Sequence, residues 1–130
     1  MRTPLTLALM VMVLGACGDS GPRQAPNKAI KVVSTEQAQL HQLDALNLAI
    51  ALKRAIRDAG LGCTRVKDAG FVGTYENLEM WTARCETRQW AIFAGPDGSA
   101  QVRDCVDMAG TGLPTCEIKQ RPKGSFDGSQ

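Results

Sequence analysis

Hydrophobic and polar positions divide the chain into five stretches. Residues 5–14 are almost wholly apolar, and residues 18–33 are polar, with Gly, Pro, Gln and Asn and no apolar period. From 35 to 59 the chain has helical spacing with neither Pro nor Gly, which predicts one long helix over those residues. Ser34 or Thr35 can cap its start. Glu36 and Asp44 lie towards its positive end, Lys53, Arg54 and Arg57 towards its negative end, and Gly60 supplies a stop. The apolar positions of this helix do not make one stripe. Ala45, Leu48, Ala49, Leu52, Ala55, Ile56 and Ala59 share a face, whereas Leu40, Leu43, Leu46 and Ile50 gather on another side. The first face is expected to cover a sheet, the second to pack on the rest of the core or on a partner.

Beyond Gly60 the period changes from helical to alternating. Residues 71–75 form a short strand, and 78–85, 88–94 and 100–106 form an antiparallel meander. Gly95-Pro96-Asp97-Gly98 fits a type I turn with Gly98 in the left-handed bulge position, pairing Ile92 with Val102 and Ala94 with Ala100. A two-residue turn at Glu86-Thr87 pairs Trp81 with Ile92 and Ala83 with Trp90; neither residue favours such a turn, but a slip by one would turn every side chain over. One face then carries Trp81, Ala83, Trp90, Ile92, Ala94, Ala100 and Val102, with Asp104 sitting awkwardly at its edge, and is assigned to the helix. On the other face Met80 stands opposite Phe93, ringed by Arg84, Gln89, Gln101 and Arg103. A small apolar centre in an arginine-bearing rim has the make-up of an interaction surface. The alternative is that residues 106–115 or the Phe71 segment cover it. The expected architecture is α+β: one long N-terminal helix packed on a small antiparallel meander sheet, over residues 34–118, with 119–130 a disordered polar tail.

Cysteine positions refine this picture. Apart from Cys17 there are four, Cys63, Cys85, Cys105 and Cys116, an even number that fits two disulfides. Cys85 and Cys105 end the two outer strands of the meander on opposite faces. Their Cα atoms would be roughly 9–10 Å apart, too far for a direct bond. Cys63–Cys85 with Cys105–Cys116 is the favoured pairing, tying the helix exit to the sheet and closing the Gly-rich loop; Cys63–Cys105 with Cys85–Cys116 stays open. No C-x-x-C spacing occurs and His41 is the one histidine, so no metal site is expected.

The N-terminal stretch carries the most specific motif. Arg2 precedes the apolar run, which is about half the roughly 20 residues a membrane-spanning helix needs, and Leu14-Gly15-Ala16-Cys17 follows it. This order resembles the bacterial lipoprotein signal and its lipobox. The resemblance spans the first 17 residues and implies diacylglyceryl transfer to Cys17, cleavage between Ala16 and Cys17, and acylation of the new amine. It further implies residues 1–16 as a signal peptide and a tether over 17–33. Its setting is the oxidising cell envelope, where four remaining cysteines would pair. Gly18 follows the cysteine, where enterobacterial lipoproteins kept at the inner membrane carry Asp; the resemblance thus points to the outer membrane, facing the periplasm.

Charge and chemistry add exclusions. Cleavage would leave about 114 residues, one domain's worth, and a net charge of +2 gives no electrostatic footprint for nucleic acid. His41 has no nucleophile and acid in any recognisable motif beside it, there is no Gly-rich phosphate loop, and acid pairs such as Glu76/Glu79 and Asp104/Asp107 have ordinary solvated spacings. The expectation is a protein without catalytic residues or cofactor, held to the membrane by lipid on Cys17 and binding another envelope component through the Met80/Phe93 face. An inhibitor or ligand-binding role is the alternative, in the setting of the small lysozyme-inhibiting lipoproteins, although their paired Ser/Gly/Tyr and Tyr/Thr/Lys/Gly motifs are missing here.

Overall fold

A computed structural model describes residues 34–126. The signal, lipobox and tether expected over 1–33 lie outside the described residues, as do 127–130. Two helices, α1 (Thr35–Gln42) and α2 (Ala45–Asp58), precede four strands, β1 (Asp68–Tyr75), β2 (Leu78–Arg84), β3 (Gln89–Ala94) and β4 (Ala100–Asp104), and a 3-10 turn follows at Val106–Met108. The strands pair antiparallel in sequence order.

The single long helix is thus corrected to two. Leu43 is extended (φ −71°, ψ 139°) and Asp44 caps a new start, its carboxylate accepting the Asn47 amide at 2.8 Å. The split apolar pattern is the physical reason. A straight rod can turn only one stripe onto the sheet, whereas the break lets Leu40 and Leu43 pack on the same core that α2 covers with Leu48, Leu52 and Ile56. Asp44 already had a residue type suited to an N-cap. The Ala45 amide, which a continuous helix would have satisfied internally, donates to the Lys123 carbonyl at 2.7 Å.

Other caps follow the expectation. Ser34 and Gln37 form a reciprocal capping box, and Gln37, itself buried, donates onward to the Asn77 and Ala94 carbonyls at 3.1 and 3.0 Å. One side chain therefore both caps α1 and fastens it to the ends of β2 and β3. Gly60 (φ +77°) closes α2, with Leu61 donating to Ile56 and Gly60 to Arg57 in a Schellman arrangement.

Register is as the alternation requires. Trp81 faces Ile92, Ala83 faces Trp90, Ile92 faces Val102, and Ala94 faces Ala100. Gly98 has φ +80° and bonds to Gly95, while Cys85 donates to the Arg88 carbonyl across the Glu86-Thr87 turn. β1 begins earlier than expected, at Asp68, and bulges between Phe71 and Gly73. Trp81, Ala83, Trp90, Ile92 and Ala94 meet α2 in the main core; Ala100 is exposed at its margin. Asp104 escapes burial without a partner by pairing with Arg88 at 3.0 Å and accepting the Val106 amide.

The tail needs correction. Residues 119–126 are not a loose polar end but a strap. Lys119 and Gln120 bond to the Phe71 backbone along the free edge of β1, Arg121 pairs with Asp68, and Phe126 packs against the main core. Composition predicted disorder because the segment is polar; its order comes from backbone groups that β1 and α2 leave unpaired.

Candidate functional site

Three places deserve comparison: the sheet face singled out by sequence, the surroundings of the lone histidine, and the outer side of α2.

Met80 and Phe93 do stand opposite each other, but they are not a surface. Met80 is 0% and Phe93 3% exposed, and with Val72 and Ala91 they form a second core beneath Met108, Leu113 and Cys116. The loop closed by the Cys105–Cys116 disulfide is the lid. Gln89, expected on the rim, turns inward instead, its amide donating to the Thr82 hydroxyl and to the Cys116 carbonyl at 2.9 Å. Arg84 and Arg103 are exposed, yet they rim no apolar centre. The expected Met80/Phe93/Arg84/Arg103 interaction surface is therefore set aside: covering Met80 and Phe93 contributes more than leaving them wet, about 1.5–3 kcal/mol for each one fully buried.

Both favoured disulfides are formed. Cys63 bonds Cys85 and Cys105 bonds Cys116, with Cα separations of 5.5 and 6.0 Å. Glu86 lies beside the first and accepts the Arg65 amide at 2.7 Å. Hydrogen bonds from its own amide and from the Arg65 amide hold its carboxyl below the usual carboxylate range. Cys63, Cys85 and Glu86 come close enough to share an ion, but the two sulfurs are bonded to each other. Among the described residues this leaves no thiolate pair for a metal.

His41 turns out to have an acid partner that its sequence neighbourhood does not contain. Nε2 lies 3.0 Å from Oε2 of Glu79, whose side chain is 10% exposed against 29% for the histidine. Phe71 meets the imidazole edge-on at 4.7 Å between centroids and Trp81 lies tilted at 4.8 Å. Glu79 is not the solvated acid its spacing from Glu76 implied; it precedes Trp81 by two on β2 and so shares the helix-facing row. The alternation held that information. The missing piece was the break at Leu43-Asp44, which sets where α1 presents His41. The cavity between α1, Phe71, Trp81 and the strap is about 20 Å³, room for one water and no more. Chemically the pair is a histidine–carboxylate hydrogen bond wedged among rings, tying α1 to β1 and β2.

On the outer side of α2 lies an open hollow of about 450 Å³, lined by Ile50, Lys53, Arg54, Arg57 and Asp58. Leu46 and Ile50 there are 45% and 48% exposed. A more apolar cleft of about 210 Å³ runs between the helices and the β3–β4 turn, past Leu40, Leu52, Ala55, Ile92, Ala94 and Ala100. That is below the usual 300–1,000 Å³ of small-molecule sites.

Comparison of the chain with protein-family models, with curated proteins and with solved structures finds no match.

Proposed function

We propose that this chain is a lipid-anchored lipoprotein of the bacterial cell envelope, sorted to the outer membrane and facing the periplasm, whose domain works as a non-enzymatic binding module for another envelope component. The observation that carries the reading is Leu14-Gly15-Ala16-Cys17 placed directly after a short apolar run with Arg2 ahead of it. The sulfur of Cys17 is the group the lipid would join. With Cys17 so used, the remaining four cysteines are those paired in the two disulfides, and such bonds suit an oxidising envelope.

The non-enzymatic part rests on the histidine's surroundings. A base needs space for a substrate atom within hydrogen-bond reach. His41 is instead flanked by Glu79, Phe71 and Trp81, beside a cavity of about 20 Å³.

Fractionation tests the anchor. Expressed in a Gram-negative host, the protein is expected in the outer-membrane fraction and to incorporate a palmitate analogue. Cys17→Ser is expected to lose the label and to stay unprocessed or leave the membrane pellet. Label retained by Cys17→Ser, or absent from both proteins, would overturn the assignment.

A further inference from the structure

We infer that the outward side of α2 is a docking face for a phospholipid surface bearing anionic headgroups, so that the domain lies on the membrane with this helix down. Leu46, Ile50, Lys53 and Arg57 recur every three or four residues, one above another along the helix, and Arg54 adjoins them. The buried positions Ala45, Leu48, Ala49, Leu52 and Ile56 lie about a third of a turn round the helix and meet the core, while Leu46, Ile50 and Arg57 stay exposed. The stripe is therefore free to meet something outside.

The composition of the stripe says what. Leu46, Ile50 and Val106 are the large apolar side chains left exposed among the described residues, and two of the three are one turn apart here. Lys53 and Arg57 continue the same stripe towards the C-terminal end, with Arg54 beside it. None of the ion pairs among the described residues involves Lys53, Arg54 or Arg57, and Asp58, the acid bordering the hollow, sits beyond the cationic row. Unpaired cations beside shallow apolar side chains are what an interfacial helix uses: the cations meet lipid phosphates while the apolar pair enters the headgroup–acyl boundary. Long Lys and Arg stems can lie along that boundary with their charges in the headgroups. A protein partner of ordinary size would need a broader apolar centre than two side chains.

The inference rests on the anchored reading in one respect: residues 18–33 span at most about 55 Å fully extended, so lipid on Cys17 would keep the face near a bilayer. Without lipid the face must still recognise the surface by itself.

The test uses the chain from position 17 onward with Cys17→Ser, floated with vesicles of phosphatidylcholine alone or mixed with phosphatidylglycerol. Binding is expected to the mixed vesicles, falling as salt rises. Each cation near the surface contributes about a fivefold factor at low salt, so Lys53→Gln/Arg54→Gln/Arg57→Gln should lower the partition about a hundredfold. Leu46→Ser/Ile50→Ser should lower it about tenfold. Arg84→Glu/Arg103→Glu, on the opposite layer, should leave it within about twofold. Near-ultraviolet circular dichroism should be unchanged in all three variants, whose altered side chains lie at the surface. No flotation, equal flotation with both vesicle types, or an equal fall in the Arg84/Arg103 variant would overturn the inference. Because this protein carries no lipid, such a failure leaves the Cys17 anchor standing. Loss of palmitate labelling would remove the anchor and leave the flotation result intact.

Discussion

At the scale of single residues, the Glu79 carboxylate shows how placement makes chemistry that sequence spacing hides. Among the described residues, the side chain in hydrogen-bond reach of it is His41. His41→Ala removes two ring contacts and leaves a buried carboxyl without its partner, and is expected to destabilise the domain by about 2–3 kcal/mol, read as a lower urea midpoint at unchanged slope. His41→Leu/Glu79→Leu, which removes both polar groups, should recover most of that loss; a double variant no more stable than His41→Ala would contradict this account of the pair. Glu86 gives a prediction of opposite visibility, on the surface. Its folded-state pKa lies below its ordinary value, so its contribution is present above about pH 4.5 and fades as pH falls through the lowered value. Glu86→Gln should flatten that acid limb of the stability profile and leave the neutral region's pH dependence unchanged.

Between elements, the contacts that matter are those the strap and the disulfide loop make with the sheet. A Cβ built on Gly70 would lie 2.6 Å from the Gln120 carbonyl oxygen and 2.5 Å from a methyl of Ile118, whereas Gly73 meets nothing within 4 Å. Gly70→Ala is therefore expected to cost about 1–3 kcal/mol and to speed proteolysis within 117–126, while Gly73→Ala is near neutral. Equal effects would mean that the strap does not lie across β1. Cys105→Ser/Cys116→Ser opens a closed loop of about a dozen residues; it should lose about 2–4 kcal/mol and raise binding of a hydrophobic dye as Met80, Phe93 and Met108 become wet. Legibility in the sequence divides along the same line. Strand pairing could be read from Trp81, Trp90 and Ile92 because a period of two leaves no freedom once one face must be buried. The register excluded a Cys85–Cys105 bond and left two pairings, of which Cys63–Cys85 with Cys105–Cys116 is formed. The helix break was visible only as two apolar faces that one rod cannot serve, and the strap not at all. Lys119 to Phe126 carry no apolar period, and what ties Lys119, Gln120 and Lys123 down is backbone hydrogen bonding to β1 and α2, which side-chain type does not encode. The Met80/Phe93 centre could be read two ways, as a surface or as a face covered by residues 106–115, and the loop closed by Cys105–Cys116 decides for the cover.

Over the whole molecule, the domain is a four-stranded meander covered on one side by α1 and α2 and on the other by the disulfide-closed loop. With both sides of the sheet covered, the exposed apolar pair and unpaired cations of α2 lie on the outside of the helical layer. The proposed anchor and the proposed lipid-facing helix would then act together, lipid for attachment and helix for orientation, leaving the disulfide-closed layer turned towards the periplasm and its partners. The central claim is the anchor, and it can be read from one mass. The N-terminal peptide of the protein extracted from membranes is expected to begin at Cys17 and to carry a diacylglyceryl group and an amide-linked acyl chain. A peptide that begins at Met1, or at any residue other than Cys17, or one whose cysteine is unmodified, would contradict it.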